Sequence, residues 1–171
     1  MEKGTIVYLN GVTSTGKTSI VAALRRTKML DFYYLSDDIF DNYIIDALYG
    51  APDYWQKLSE AVFLMYRTAC LFSDCGKTVV IDSMLLENES FSPHYSRMLQ
   101  IFEGYPLHVV DVYCDPEICR LRNLARGNRG VHQSDEQLAV MAKNVNYALR
   151  LDTGVLTPEQ CAARICSMLN A

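Results

Sequence analysis

The sequence predicts an α/β fold in which a parallel sheet is covered by helices on both faces. Three observations carry the prediction. Strand and helix signals alternate along the chain. The run Val79-Val80-Ile81 is apolar without a break, as a strand buried on both faces requires. A glycine-rich pattern, Gly11-Val12-Thr13-Ser14-Thr15-Gly16-Lys17-Thr18, stands between the first strand signal and the first helix signal.

Residues 5–9 are a β-branched, apolar strand that stops at Asn10-Gly11. Residues 18–26 read as a helix and 32–35 as a short aromatic strand. Residues 38–48 carry Ile39, Tyr43, Ile44 and Leu48 at helical spacing, then break at Gly50 and Pro52. A long helix with one apolar face covers 54–73, and a strand covers 78–81 between Gly76 and Asp82. A helix over 92–101 and a strand over 108–114 follow. Asp115-Pro116 opens the next helix, since Asp suits the cap and Pro the first helical position. Residues 134–149 predict another helix, with Ser134 and Gln137 as a capping box. The last strand is read at 149–152, and Pro158 starts the final helix. With no repeat, linker or low-complexity tract, one domain over 1–171 is the simplest organisation.

Composition narrows the function classes. The 171 residues carry a net charge of -4, half are hydrophobic and about a fifth are charged, as in a soluble globular protein. Nucleic-acid binders carry a basic patch, and the only compact basic cluster here spans 120–129. No run of 18 apolar residues suits a bilayer, and residues 1–10 lack the apolar centre of a signal peptide. The expected location is therefore the cytoplasm, with no membrane or nucleic-acid partner. Six cysteines fall in pairs five apart, with no CxxC and no zinc pattern with the three histidines, so free thiols are expected. His94, His108 and His132 show no partner in sequence and are read as surface or structural.

The stretch from Gly11 to Thr18 matches GxxxxGK(S/T) in full. Glycines permit backbone angles that turn successive N–H groups onto a phosphate, and the helix behind adds its positive end. Gly11, Thr13, Ser14, Thr15, Gly16, Lys17, Thr18 and Ser19 are thus assigned to nucleotide binding. Lys17 reaches the β- and γ-phosphates, and Thr18 offers a hydroxyl to Mg²⁺. ATP and Mg²⁺ are the expected cofactors, and the fold is read as a three-layer P-loop NTPase fold.

A phosphate loop does not say what receives the phosphoryl group. Asp82 ends a strand that resembles a Walker B strand and is read as a metal-side ligand; a turn cap is the alternative. Ser83 follows it where motor ATPases commonly carry a water-activating glutamate. Asp37 and Asp38 follow the second strand, whose C-terminal end faces the ligand crevice. Asp37 there suits a base for an attacking hydroxyl, against the alternative of a helix cap; Asp38 is the weaker candidate. Arg120, Arg122, Arg126 and Arg129 lie near Gly127 and Gly130, which predicts a short lid over about 120–135. Arg126 and Arg129 are chosen to stabilise the transferring phosphoryl group, against a solvated cationic helix end. Between Lys28 and Lys57 there is no cation but many aromatics, including Tyr49, Tyr54 and Trp55. That favours an uncharged, partly apolar acceptor unless Arg67 or Arg97 folds in, and rings packed in the core are the competing use.

Several segments together resemble chloramphenicol phosphotransferase. They are Leu9-Asn10-Gly11 leading into Ser14 to Thr18, Asp37 with Ile39-Phe40-Asp41, Val79-Val80-Ile81-Asp82, Val112-Tyr113-Cys114-Asp115, and Ala125-Arg126-Gly127-Asn128-Arg129. The resemblance implies a sheet of order 2-3-1-4-5 of the nucleoside monophosphate kinase type. It implies Asp37 as base, Lys17 and Arg129 near the phosphates, and Asp152-Thr153 near the adenine. Residues 46–59 are shorter than in that family and belong to the acceptor side, so another alcohol is the expected substrate. A nucleotide, nucleoside or sugar-acid kinase is the alternative enzyme, and a non-catalytic nucleotide-binding module the alternative from another class.

Overall fold

The computed structural model describes residues 2–46, 49–127 and 130–170. Twelve elements follow in chain order within them: β1 (Ile6–Asn10), α1 (Lys17–Thr27), β2 (Tyr33–Ser36), α2 (Asp37–Tyr43), α3 (Tyr54–Asp74), β3 (Val79–Ser83), α4 (His94–Ile101), β4 (Leu107–Tyr113), α5 (Pro116–Arg126), α6 (Gln133–Ala139), β5 (Leu149–Asp152) and α7 (Pro158–Leu169). The strands form one sheet in the order β2-β3-β1-β4-β5, and every pairing is parallel.

Side-chain alternation along β1 divides the core between the two faces of the sheet. Ile6 and Tyr8 join Val79 and Ile81 under α3 and α4. Val7 and Leu9 join Val80, Val110, Val112 and Leu151 under α1 and α7. Ile20 and Leu24, on the inner stripe of α1, are almost wholly buried. Each contributes roughly 1.5–3 kcal/mol relative to exposure. Both Pro-led helices are capped by side chains, at Asp115 as read from sequence and at Thr157 as the structure adds. Asp115 accepts from Glu117 N at 2.8 Å, and Thr157 and Gln160 form a reciprocal capping box ahead of α7.

Two helix readings need correction. Helix α6 ends at Ala139 rather than continuing to 149. Beyond it the backbone turns to pair with the segment after β3, where Glu87 N donates to Val140 O and Ala142 N to Leu85 O. Ser134 and Gln137 form no capping box, because Ser134 accepts from Asn123 while Gln137 reaches the glycine loop. Helix α2 ends at Tyr43, and Leu48 of the predicted run lies outside the described residues.

From β1 the chain crosses to β2 on the β3 side of the sheet, and from its neighbour β4 it crosses to β5 on the other side, so the connections leaving these adjacent strands part in opposite directions. That opens a crevice at the sheet's switch point, and the glycine loop lies there.

Candidate active site

Two glycines shape the loop between β1 and α1. A Cβ on Gly11 would come within 2.4 Å of Val112 O, so only glycine fits beside β4. Gly16 has φ of 95° and leads into α1 without a side-chain cap, which leaves the helix amides open. The loop is pinned from outside. Arg122 donates to Ser14 O at 3.2 Å and to Thr153 O at 2.8 Å, and Thr153 Oγ1 donates to Thr15 O at 2.6 Å. With those carbonyls turned outward, planar trans peptides turn the amides of Thr15 and Gly16 the other way. Asn123, wholly buried, accepts from Ser14 Oγ at 2.6 Å and donates to Ser134 Oγ at 3.2 Å. Gln137 Oε1 accepts from Thr13 N at 2.7 Å, so α6 rests on the loop.

Lys17 folds back on the loop, donating to Gly11 O at 2.7 Å and Val12 O at 3.2 Å, with Asp82 Oδ1 3.6 Å away. Thr18 Oγ1 donates to Asp82 Oδ2 at 2.8 Å, and Tyr34 OH approaches the same oxygen at 3.3 Å. Burial, reinforced by Asp82, pushes the Tyr34 phenol up to about 12. Asp82 therefore lies within β3 facing α1 and caps no turn.

The helix after β2 is capped by Ser36, whose Oγ accepts from Ile39 N at 3.3 Å. This releases Asp37 from the capping role. Asp37 Oδ2 accepts from Ser83 Oγ at 2.7 Å and from Met84 N at 3.2 Å, while Oδ1 is buried with no hydrogen-bond partner among the described residues. Burial pushes its carboxyl from 3.8 up to about 7; the Ser83 hydroxyl and the Lys17 charge pull the other way, and Asp82 adds to the rise. A carboxyl near 7 is poised to take a proton at neutral pH.

Gly11, Thr13, Ser14, Gly16, Lys17, Thr18, Asp37, Asp82 and Arg126 all line one cavity of about 460 Å³. Ser19 and Thr153 line an adjoining cavity of about 340 Å³, which shares Ser14, Gly16 and Arg126 with the first. Thr15 and Asp152 line neither: Thr15 Oγ1 turns to Val12 O, and Asp152 accepts from Gly154 N. Arg129 lies outside the described residues. Arg120 is not a solvated helix end but pairs with Asp135 of α6 at 2.9 Å, and Arg122 is the loop clamp described above. Sequence reading missed both roles, along with Asn123 and Gln137. Arg122 and Asn123 are consecutive, and no spacing in the sequence ties them to the loop about 108 residues earlier.

Beyond Asp37 the large cavity is lined by Tyr49, Tyr54, Trp55, Leu58, Val62 and Phe91. The Tyr54 hydroxyl donates to both oxygens of Asp41 at 3.0 Å. Other rings of the 28–57 stretch serve packing: Phe40, Phe32 and Tyr34 lie against the core, and Tyr33 stacks on Phe72. Asp38 and Asp41 line the cavity, and its described cations are Lys17 and Arg126. Arg97 lies instead over the Phe63 ring, 3.6 Å from its centroid.

A family model for chloramphenicol phosphotransferase-like proteins matches residues 4–170. A Mycobacterium tuberculosis protein provisionally named an O-phosphotransferase is 25% identical, the alignment covering 96% of this chain and 81% of that protein. Among solved structures, the APS kinase of Mycobacterium tuberculosis in complex with AMPPNP and APS matches with TM-score 0.77 at 18% identity, over 100% of both chains. The shikimate kinase of Bacteroides thetaiotaomicron matches with TM-score 0.65 at 13% identity, over 98% of this chain and 99% of that one. At these identities the structural likeness establishes the fold. Among the described residues, no helix is long and apolar enough to cross a membrane.

Proposed function

The chain belongs to the chloramphenicol phosphotransferase-like family, and from that premise we propose that it transfers the γ-phosphate of ATP to a hydroxyl group of a small acceptor without anionic groups. One observation carries the proposal. Asp37, released from capping by Ser36 and held by Ser83 and Met84, shares one cavity with the glycine loop. A carboxylate there can deprotonate an alcohol lying between it and a triphosphate on the loop.

The loop amides and Lys17 hold the phosphates, and Lys17 exchanges its contacts with Gly11 O and Val12 O for phosphate oxygens. Thr18 and Asp82 would hold Mg²⁺, since their oxygens already meet at 2.8 Å and hard oxygen donors suit that ion. When bound, the ion would offset the negative charge of the phosphates. Asp37 takes the hydroxyl proton as the hydroxyl oxygen attacks the γ-phosphorus, whose bond to the bridging β-phosphate oxygen breaks so that ADP leaves. Arg126, with Arg129 as its sequence companion, stabilises charge on the transferring group. Ser14, Gly16, Ser19 and Thr153 form the adenine side, and 120–135 acts as the lid, docked on the loop through Asn123.

The acceptor half supports a neutral substrate. It presents aromatic and aliphatic walls with Asp38 and Asp41, and Arg97 is committed to Phe63. An anionic acceptor would meet those carboxylates with no described cation in the cavity beyond Lys17 and Arg126, which serve the phosphates. A screen of alcohols with labelled ATP and Mg²⁺ tests this. Turnover is expected on neutral, partly apolar alcohols; turnover confined to phosphorylated or carboxylated acceptors would overturn it. A non-catalytic module would show no Asp37-dependent transfer to any acceptor.

A further inference from the structure

Tyr8 of β1, Tyr66 of α3 and His94 of α4 are wholly buried side by side. The Tyr66 ring lies near-parallel to the His94 ring, centroids 5.8 Å apart, and meets Tyr8 edge-on. Their polar atoms connect in a line. His94 Nε2 is 2.7 Å from Tyr66 OH, and Tyr66 OH is 2.9 Å from Tyr8 OH. Tyr8 OH donates to Ser83 Oγ at 2.8 Å, and Ser83 Oγ donates to Asp37 Oδ2 at 2.7 Å. At the far end Leu86 N donates to His94 Nδ1 at 3.0 Å, while Leu86 O is 3.1 Å from the same nitrogen.

Proton counting orients the line. Burial keeps His94 neutral, holding it down near 4. His94, Tyr66, Tyr8 and Ser83 then own one proton each, four donors for the four bonds that end on an ionised Asp37. The count closes only when the imidazole proton is on Nε2, the tautomer that lets Nδ1 accept from Leu86 N. With the proton on Nδ1, three donors remain for four contacts, and one buried oxygen pair faces without a proton between. A core built for packing alone would use phenylalanine at these positions, because each buried hydroxyl costs free energy unless bonded.

We propose that Ser83, Tyr8, Tyr66 and His94 form one directed line of hydrogen bonds that ends on Oδ2 and fixes the Asp37 carboxylate in place. The proposal rests on Asp37 being the base. His94, Tyr66 and Tyr8 touch no substrate and are positioning residues; each aligned bond polarises the next, so the last donor on the carboxylate is strengthened. Around Asp37 the charged and titratable neighbours are Asp82 on β3, Lys17 on α1, Tyr8 on β1 and Tyr66 on α3; around His94 they are Tyr66, Glu87 and Arg97.

The first test is spectroscopic and needs no variant. The ¹⁵N shifts of His94 in the full chain at pH 8 should report the Nε2–H tautomer; an Nδ1–H tautomer overturns the line. The second test is kinetic. Donors favour the ionised carboxylate, so removing them raises the pH at which the base becomes active. In Tyr66→Phe and His94→Leu the acidic limb of kcat should move up by one pH unit, about a tenfold loss below the limb, with the acceptor KM unchanged. His94→Gln, whose amide can donate to Tyr66, should restore the limb. Equal profiles for His94→Gln and His94→Leu overturn the proposal, and if a variant does not fold the tautomer decides. Normal transfer by Asp37→Asn would refute the base instead, leaving the tautomer result to judge the line by itself.

Discussion

Asp37→Asn keeps the side-chain shape and an oxygen for Ser83 and Met84, and removes charge and basicity alone. Loss of a general base costs about 10²–10⁴-fold in transfer. Nucleotide affinity should hold, because Lys17, Thr18 and the loop amides are untouched. The same substitution should also stabilise the fold. The folded carboxyl titrates at about 7 against an ordinary 3.8, so the folded state binds the proton more tightly than the unfolded chain. The ionised group therefore opposes folding fully above pH 7, and its cost fades as pH falls from 7 towards 4. The interval corresponds to roughly 4 kcal/mol. Asparagine returns about 1–3 kcal/mol of this by placing an unbonded amide N–H where Oδ1 was. A net gain of about 1–3 kcal/mol at pH 8 corresponds to roughly 2–10 °C in Tm for a chain of this size. Transfer of labelled phosphate, nucleotide titration calorimetry and melting at pH 8 and pH 5.5 measure the three quantities. Undiminished transfer would refute the base; a Tm lowered equally at both pH values would refute the burial argument.

Three other outcomes follow from the same geometry. In the wild-type enzyme, kcat/KM should rise about tenfold per pH unit up to pH 7 and then level, since the free enzyme's base must be ionised; a profile flat from pH 5 to 8 contradicts this. Asp82→Asn should raise the Mg²⁺ concentration for half-maximal activity by about tenfold or more, read from a metal titration at saturating ATP. Arg126→Ala should lower kcat by about 10²-fold with ATP affinity nearly unchanged, and full turnover would remove Arg126 from the chemistry.

The parts of this protein that sequence disclosed are those with local causes. The glycine pattern fixes the loop, and apolar runs mark strands buried on two faces. Asp37 reads as a base with a helix cap as the alternative, because Ser36, Asp37 and Asp38 are adjacent capping chemistries and only the fold shows Ser36 in the capping role. The misread helix over 134–149 has a distant cause: residues 140–142 exchange backbone bonds with residues 85–87. Tyr8, Tyr66 and His94 were invisible as a unit, since 58 and 28 residues separate the successive members. Read singly, His94 had no partner; the sheet and two helices had to be in place before it acquired one.

Gln137 gives the glycine loop an occupant of its own. Its amide oxygen takes the Thr13 N–H that an incoming anion would otherwise find free. Under the proposed function a triphosphate would enter by exchange, and its affinity would be the difference between two ligands, one of them built into the chain. Such an exchange would couple arrival to motion, because dislodging the glutamine would remove a bond that holds α6 on the loop.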